Sequence, residues 1–377
     1  MTIKNRTDYQ HAIDAIGICI SAGVPVLIWG NPGEGKTSLI ESATHDGWHV
    51  ETVIISQSEP SDLAGLPVVG PDGSVRLAPP AWARRLAEAD GRSICFFDEF
   101  STAQPSLQAA ALRVLTHGEV GALQLPSTVS FVAAANPIDV AAAGWELAAP
   151  TASRFVHLDF AMPIDVFTEC AVFGTWPSLR VHDLPDDFDD AVVVEMLFVT
   201  GFLKARTSQL SNIPKDAAAR GRAFPTPRTW GFVGRLLTLA REVGAPEEVV
   251  RLLVEGAVGE ATAHEFMTWR SHLDLPDPEE LLNGGPADFR HRRPDQLHVI
   301  LQGVVAALDR DLTADRWSRA VALCCDAAAE AGVESAVPAI RALMGPGRRP
   351  GGASVPPEVT VFAPVLALAG LLPEGER

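Results

Sequence analysis

The octapeptide Gly30-Asn31-Pro32-Gly33-Glu34-Gly35-Lys36-Thr37 constrains this chain more than any other stretch. It follows a short apolar run, Val24 to Trp29, and precedes helical sequence from Thr37 to Ala43, so it reads as the turn between a buried strand and a helix. Residues of these types at this spacing suit an anion. Glycines let successive backbone amides curl around phosphate oxygens, and the N-terminus of the following helix favours negative charge. Lys36 can reach the β/γ-phosphates as a point charge, and the Thr37 hydroxyl can ligate Mg2+. Asn31, Pro32, Glu34 and Ser38 complete the binding segment. The chain has four lysines in all, so a lysine at this one position is not a by-product of composition.

Strand-like and helix-like segments alternate over the first 160 residues. Val24 to Trp29, His49 to Ile55, Ser93 to Phe97, Val129 to Ala135 and Phe155 to Phe160 are expected strands. Helical spacing fills Trp82 to Ala89 and Ser106 to Thr116 between them, which predicts an α/β fold with a parallel sheet. Pro71-Asp72-Gly73 predicts a hairpin within Leu66 to Leu77, and a second is expected at His117 to Pro126. Beyond residue 162 the spacing turns helical: Ala191 to Ala205, Thr229 to Val243, Pro246 to Trp269, Asp295 to Leu308 and Arg316 to Ala331. Asp274 to Pro294, rich in Pro, Gly and Asp, is a boundary, and Gly345 to Pro357 reads as a linker before a last helix, Val361 to Leu372. The expected domains are an α/β core over 1–162, a helical lid over 163–272 and a helical accessory region over 273–377.

The second chemical signal is Ile94-Cys95-Phe96-Phe97-Asp98-Glu99, an apolar strand ending in two acids. Asp98 would hold Mg2+ through water, and Glu99 would polarise an attacking water as general base. Two acids lean towards hydrolysis and away from phosphate transfer to an acceptor, for which no pocket is legible.

In this order the residues resemble an AAA+ ATPase, and more narrowly the MoxR group of the helix-2-insert clade, over about the first 245 residues. Asn136-Pro137, closing an apolar strand, resembles sensor 1, with Asn136 orienting the lytic water. Pro150-Thr151-Ala152-Ser153-Arg154-Phe155 resembles the arginine-finger segment, although Ser153 stands where the family often has an acid. Phe224 to Trp230 resembles sensor 2, with Arg228 reading the γ-phosphate. The two hairpins match the helix-2 insert and the pre-sensor-1 hairpin. The resemblance implies ATP and Mg2+ as cofactors and a homo-oligomeric, hexameric ring with Arg154 acting on a neighbour's nucleotide. It also implies a chaperone-like remodeller or activator of a protein client, with a von Willebrand factor A domain partner. The competing class is an ATP-dependent assembly switch with little turnover.

Composition limits the alternatives. Thirty basic against forty-seven acidic residues leave a net charge of −17, which argues against generic nucleic-acid binding. Five cysteines lack any CxxC spacing, so neither a zinc site nor a disulfide framework is indicated. No apolar run approaches the ~18 residues of a membrane span, and charges interrupt Met1 to Ser21, so a cytoplasmic protein away from membranes is expected. Arg290-His291-Arg292-Arg293 reads as a solvated loop, and Trp29, Trp145, Trp230 and Trp269 as packing residues.

Overall fold

A computed structural model describes residues 3–137, 140 and 144–371. The chain divides into two compact units, one formed by residues 1–188 and 209–265, the other by 189–208 and 266–377. These do not coincide with the three segments read from composition.

The first unit is built on a five-stranded sheet. Its strands are β1 (Val26–Trp29), β2 (His49–Ile54), β5 (Ser93–Asp98), β8 (Val129–Ala135) and β9 (Val156–Asp159), in the order β2-β5-β8-β1-β9. All four pairings are parallel, with Val26 in register with both Val132 and Val156. Helices cover both faces of such a sheet, so its strands read as continuous apolar runs; every residue of β1 is buried, and so is all of β5 except Asp98. Parallel strands also bring their C-terminal ends to one edge, where an open α/β sheet binds ligands. The chain leaves β1 into the Gly30–Thr37 loop, β5 into Glu99 and β8 into Asn136, and β8 lies between the other two.

Two hairpins interrupt the alternation, as expected. The first pairs β3 (Leu66–Val69) with β4 (Val75–Ala78), and the second pairs β6 (Glu119–Val120) with β7 (Leu123–Gln124). In the first turn, Asp72 Oδ1 accepts hydrogen bonds from the Ser74 amide (3.0 Å) and hydroxyl (2.6 Å).

An N-terminal helix, Arg6–Ser21, was not expected. Asn5 caps it, and Ile13, Ile16 and Ile20 are wholly buried. The single helix expected over Pro246 to Trp269 is two, Glu247–Val258 and Glu260–Ser271. Gly259 separates them at φ +84° and ψ 152°, a conformation essentially reserved for glycine.

The second unit is helical. Pro294–Arg310, Ala314–Ala331 and Val333–Leu343 bury Leu297, Leu301, Val321 and Leu343 around the wholly buried Trp317. The segment read as a linker packs in part: Ala353 is buried, and Phe362 ends a 3-10 helix, Pro357–Phe362, inside the same core. The last helix is shorter than expected, Ala363–Leu368, and Leu372 lies outside the described residues. Among the described residues no helix is long and apolar enough to cross a membrane.

Candidate active site

The loop after β1 is shaped by its glycines. Gly33 and Gly35 lie at φ +83° and +84°, in the left-handed region, with open space where a side chain would stand or only the Met162 methyl at 3.7 Å. A Cβ on Gly30 would meet the Phe160 carbonyl oxygen at 2.3 Å, so that position admits no side chain without a shift of backbone. Lys36 opens the next helix, Lys36–Glu41, and is nearly buried. Its Nζ donates to the carbonyls of Gly30 (2.6 Å) and Asn31 (2.9 Å) and to Asn136 Oδ1 (3.0 Å). Burial pulls its pKa down, opposed by the charges of Glu34 and Asp98.

Five residues expected to work together meet at this edge. Lys36 is bonded to Asn136, and the Thr37 hydroxyl donates to Asp98 Oδ2 at 2.7 Å. Asp98 Oδ1 accepts from the amide of Glu99 at 2.8 Å. Glu99 itself is exposed and left-handed, at φ 57° and ψ 36°. A non-glycine residue in that region carries strain, and such strain collects at functional sites. Thr37 and Asp98 are hard oxygen donors of the kind Mg2+ takes, one or two at a time beside phosphate oxygens and water. Among the described residues no cluster of three or more His, Cys, Asp or Glu offers a rival metal site.

Beside the loop lies a cleft of about 730 Å³ lined by Gly33, Gly35, Tyr9, Met162, Phe167 and Trp176, among others. Apolar and aromatic walls beside a phosphate-shaped loop suit a flat base. Tyr9 packs on Phe160 with centroids 5.1 Å apart, and burial is the main cause that raises its pKa to about 12. Sequence reading missed Tyr9, Met162, Phe167 and Trp176. Its one usable signal for Tyr9 was the helical spacing of Ile13, Ile16 and Ile20 behind it.

Arg154 and Arg228 are elsewhere. Both line a hollow with Thr116, His117 and Phe232. Arg154 donates to Thr116 Oγ1 (2.6 Å) and to the Pro150 carbonyl (2.5 Å), and Arg228 to Ser153 Oγ (3.4 Å). Burial and the neighbouring Arg228 lower the Arg154 pKa. Among the described residues neither guanidinium has a carboxylate partner. The Arg228 position follows from Thr226, whose side chain caps the helix Pro227–Glu242 by accepting from the Thr229 amide. Arg113, on the helix after Asp98 and Glu99, pairs with Glu119 at 2.6 Å. In the basic run, Arg290 pairs with Glu330 (3.5 Å) and Arg293 with Asp295 (3.0 Å). Of the tryptophans read as packing residues, Trp145 is 45% exposed and the other three are buried.

The chain is similar to several known proteins. Residues 25–155 match the AAA domain of the dynein-related subfamily. The chain is 31% identical to Protein MoxR of Methylorubrum extorquens over 115 residues, 30% of this chain and 33% of that one. The match thus spans about a third of the curated relative's length. A crystal structure of a candidate ATPase from Cytophaga hutchinsonii aligns with 70% of this chain and 89% of its own, at 14% identity and a TM-score of 0.41. Residues 25–155 are thus similar to AAA domains, and a 115-residue stretch of the chain is similar to Protein MoxR.

Proposed function

We propose that the chain is a Mg2+-dependent ATPase that works as a homo-oligomeric, hexameric ring and, as a chaperone-like machine, remodels or activates a protein client. The observation that carries this reading is the meeting of Lys36, Thr37, Asp98, Glu99 and Asn136 at one sheet edge while Arg154 and Arg228 line a separate hollow. Loop amides from Gly30 to Ser38 and Lys36 would hold the phosphates, and Thr37 with Asp98 would hold the metal. When bound, Mg2+ would supply charge neutralisation to the phosphate oxygens. Asn136 would orient water, and Glu99 would accept its proton. Arg154 and Arg228 stand side by side with no acid between them, which suits a joint approach to anionic oxygens on a second copy of the chain. The site is then complete at a subunit interface, and helices within 163–272 act as the lid. A von Willebrand factor A domain partner and a cytoplasmic setting belong to the same reading.

Light scattering on Glu99→Gln with and without Mg-ATP tests assembly, and growth to a ring is expected. Mixing Arg154→Ala with Glu99→Gln chains tests action between copies. Each mutant supplies what the other lacks, so some turnover returns. Proven mixed rings with no turnover overturn the assignment of Arg154. Tight ATP binding and assembly with negligible turnover in the unaltered chain would favour the assembly switch.

A further inference from the structure

Trp29 and His157 lie outside the phosphate machinery, yet they join its parts. Trp29 is the last residue of β1, directly before Gly30, and its carbonyl accepts from the Phe160 amide at 2.6 Å. In the β1–β9 register Leu27 pairs with His157 and Trp29 with Asp159, so the Trp29 and His157 side chains share one face of the sheet. Trp29 Nε1 donates to His157 Nδ1 at 3.0 Å, and the two rings lie 14° from parallel. An indole nitrogen only donates, so Nδ1 carries no proton and Nε2 does. That Nε2–H reaches the carbonyl of Ala152 at 2.9 Å. Ala152 ends the short helix Ala149–Ala152, two residues before Arg154. The Phe155 amide donates to the same carbonyl at 3.1 Å. Over the Trp29 ring, at 4.4 Å from its centroid, lies the Arg222 guanidinium, which also donates to Asp159 at 3.1 Å. Arg222 leads into Phe224-Pro225-Thr226, the approach to the helix that carries Arg228.

We propose that Trp29 and His157 form a strut through which the nucleotide state of the loop sets the position of the Arg154 segment, with His157 as a positioning residue. This rests on the reading of the loop as a nucleotide site. The strut explains a costly choice. A buried imidazole held neutral between a donor and an acceptor is a poor core filler compared with an aromatic hydrocarbon, unless both of its bonds matter. It gives the loop, which binds one nucleotide, a rigid link to the arginines offered to another.

Amide hydrogen exchange on the full chain, in the Glu99→Gln background with and without Mg-ATP, reads this directly. With the strut intact, ATP should slow exchange at residues 30–38 and also change it by about threefold or more at the amides of Ser153, Arg154 and Phe155. In His157→Phe and in Trp29→Phe, which keep a ring and lose the bond, the response at 30–38 should persist and that at 153–155 should vanish. If the 153–155 response survives in both variants, or is missing with the strut intact, the proposal is wrong. A purely structural role would loosen 153–155 equally with and without nucleotide, which also overturns it. No response at 30–38 in the parent would overturn the nucleotide reading itself, and the strut with it. In turnover, His157→Phe should lower kcat about tenfold with KM for ATP within about twofold of the unaltered chain.

Discussion

Replacing Glu99 by glycine should make the protein more stable and nearly inactive. Glu99 occupies φ 57° and ψ 36°, where an L-residue with a Cβ meets its own carbonyl at a cost of about 1–2 kcal/mol. Glycine relieves that strain but gains freedom in the unfolded chain, which gives back about 0.4–1 kcal/mol. The expected net gain is about 0.5–1 kcal/mol. The bonds that hold this turn come from the backbone and survive the change: the Glu99 amide to Asp98 Oδ1, and the Glu99 carbonyl to the Thr102 amide (3.0 Å) and hydroxyl (2.7 Å). The side chain is exposed, so its removal forfeits little packing. For a unit of this size a gain of that order raises Tm by roughly 1–4 °C. Turnover should fall by about 10²–10⁴, the contribution of a positioned general base. Differential scanning fluorimetry and phosphate release would be run on Glu99→Gly and Glu99→Gln together. Glutamine keeps the strained backbone, so its Tm should match the parent while its activity falls likewise. A Glu99→Gly protein that melts below both would refute the reasoning, because the left-handed turn would then draw its stability from the side chain.

Other consequences are open to simple measurement. Lys36→Ala should abolish nucleotide binding by titration calorimetry, and near-normal ATP affinity would remove the phosphate-loop assignment. Burial lowers the His157 pKa from 6.5 to about 4, so between those values the unfolded state binds the extra proton and stability falls as pH falls. The loss is absent above about pH 6.5 and amounts to about 2 kcal/mol by pH 5. Urea unfolding at pH 7 and pH 5 should show that much less sensitivity in His157→Phe than in the parent. Gly256→Ala should destabilise the first unit by about 1–3 kcal/mol, since its Cβ would lie 2.7 Å from the His157 carbonyl oxygen. Gly231→Ala, in a helix interior with nothing within 4 Å, should stabilise by about 0.5–1 kcal/mol in the same melts.

What the sequence disclosed follows from the range of the forces involved. The strands β1, β5 and β8 announce themselves because burial on both faces demands unbroken apolar runs, and Lys36, Thr37 and Asp98 stand at the ends of two of them. The juxtaposition of Lys36 with Asn136, a hundred residues apart, was implied by strand order and not by any local pattern. Tyr9, Met162 and Trp176 were missed because they come from three separated segments whose convergence only the fold creates. Trp29 was read as packing, which its burial supports, but its bond to His157 depends on the β1–β9 register. The pairing of Arg228 with Arg154 was equally hidden, since a capping motif fixes where a helix starts and not what it faces.

The second unit is discontinuous in the chain, with residues 189–208 reaching it long before residue 266. Phe202 of the early segment packs edge-on against Phe266, with centroids 5.4 Å apart, and Glu195 pairs with Arg270 at 2.9 Å. A chain cut once, at any single residue, therefore does not separate this unit from all of the first. Truncation near residue 274 would remove the core that runs from Leu281 to Leu366 and take His298 from its bonds with Thr200 and Lys204, so aggregation is the expected result. The same threading bears on heredity. A unit entered twice cannot be exchanged between genes by one crossover without carrying residues 209–265 of the first unit along with it.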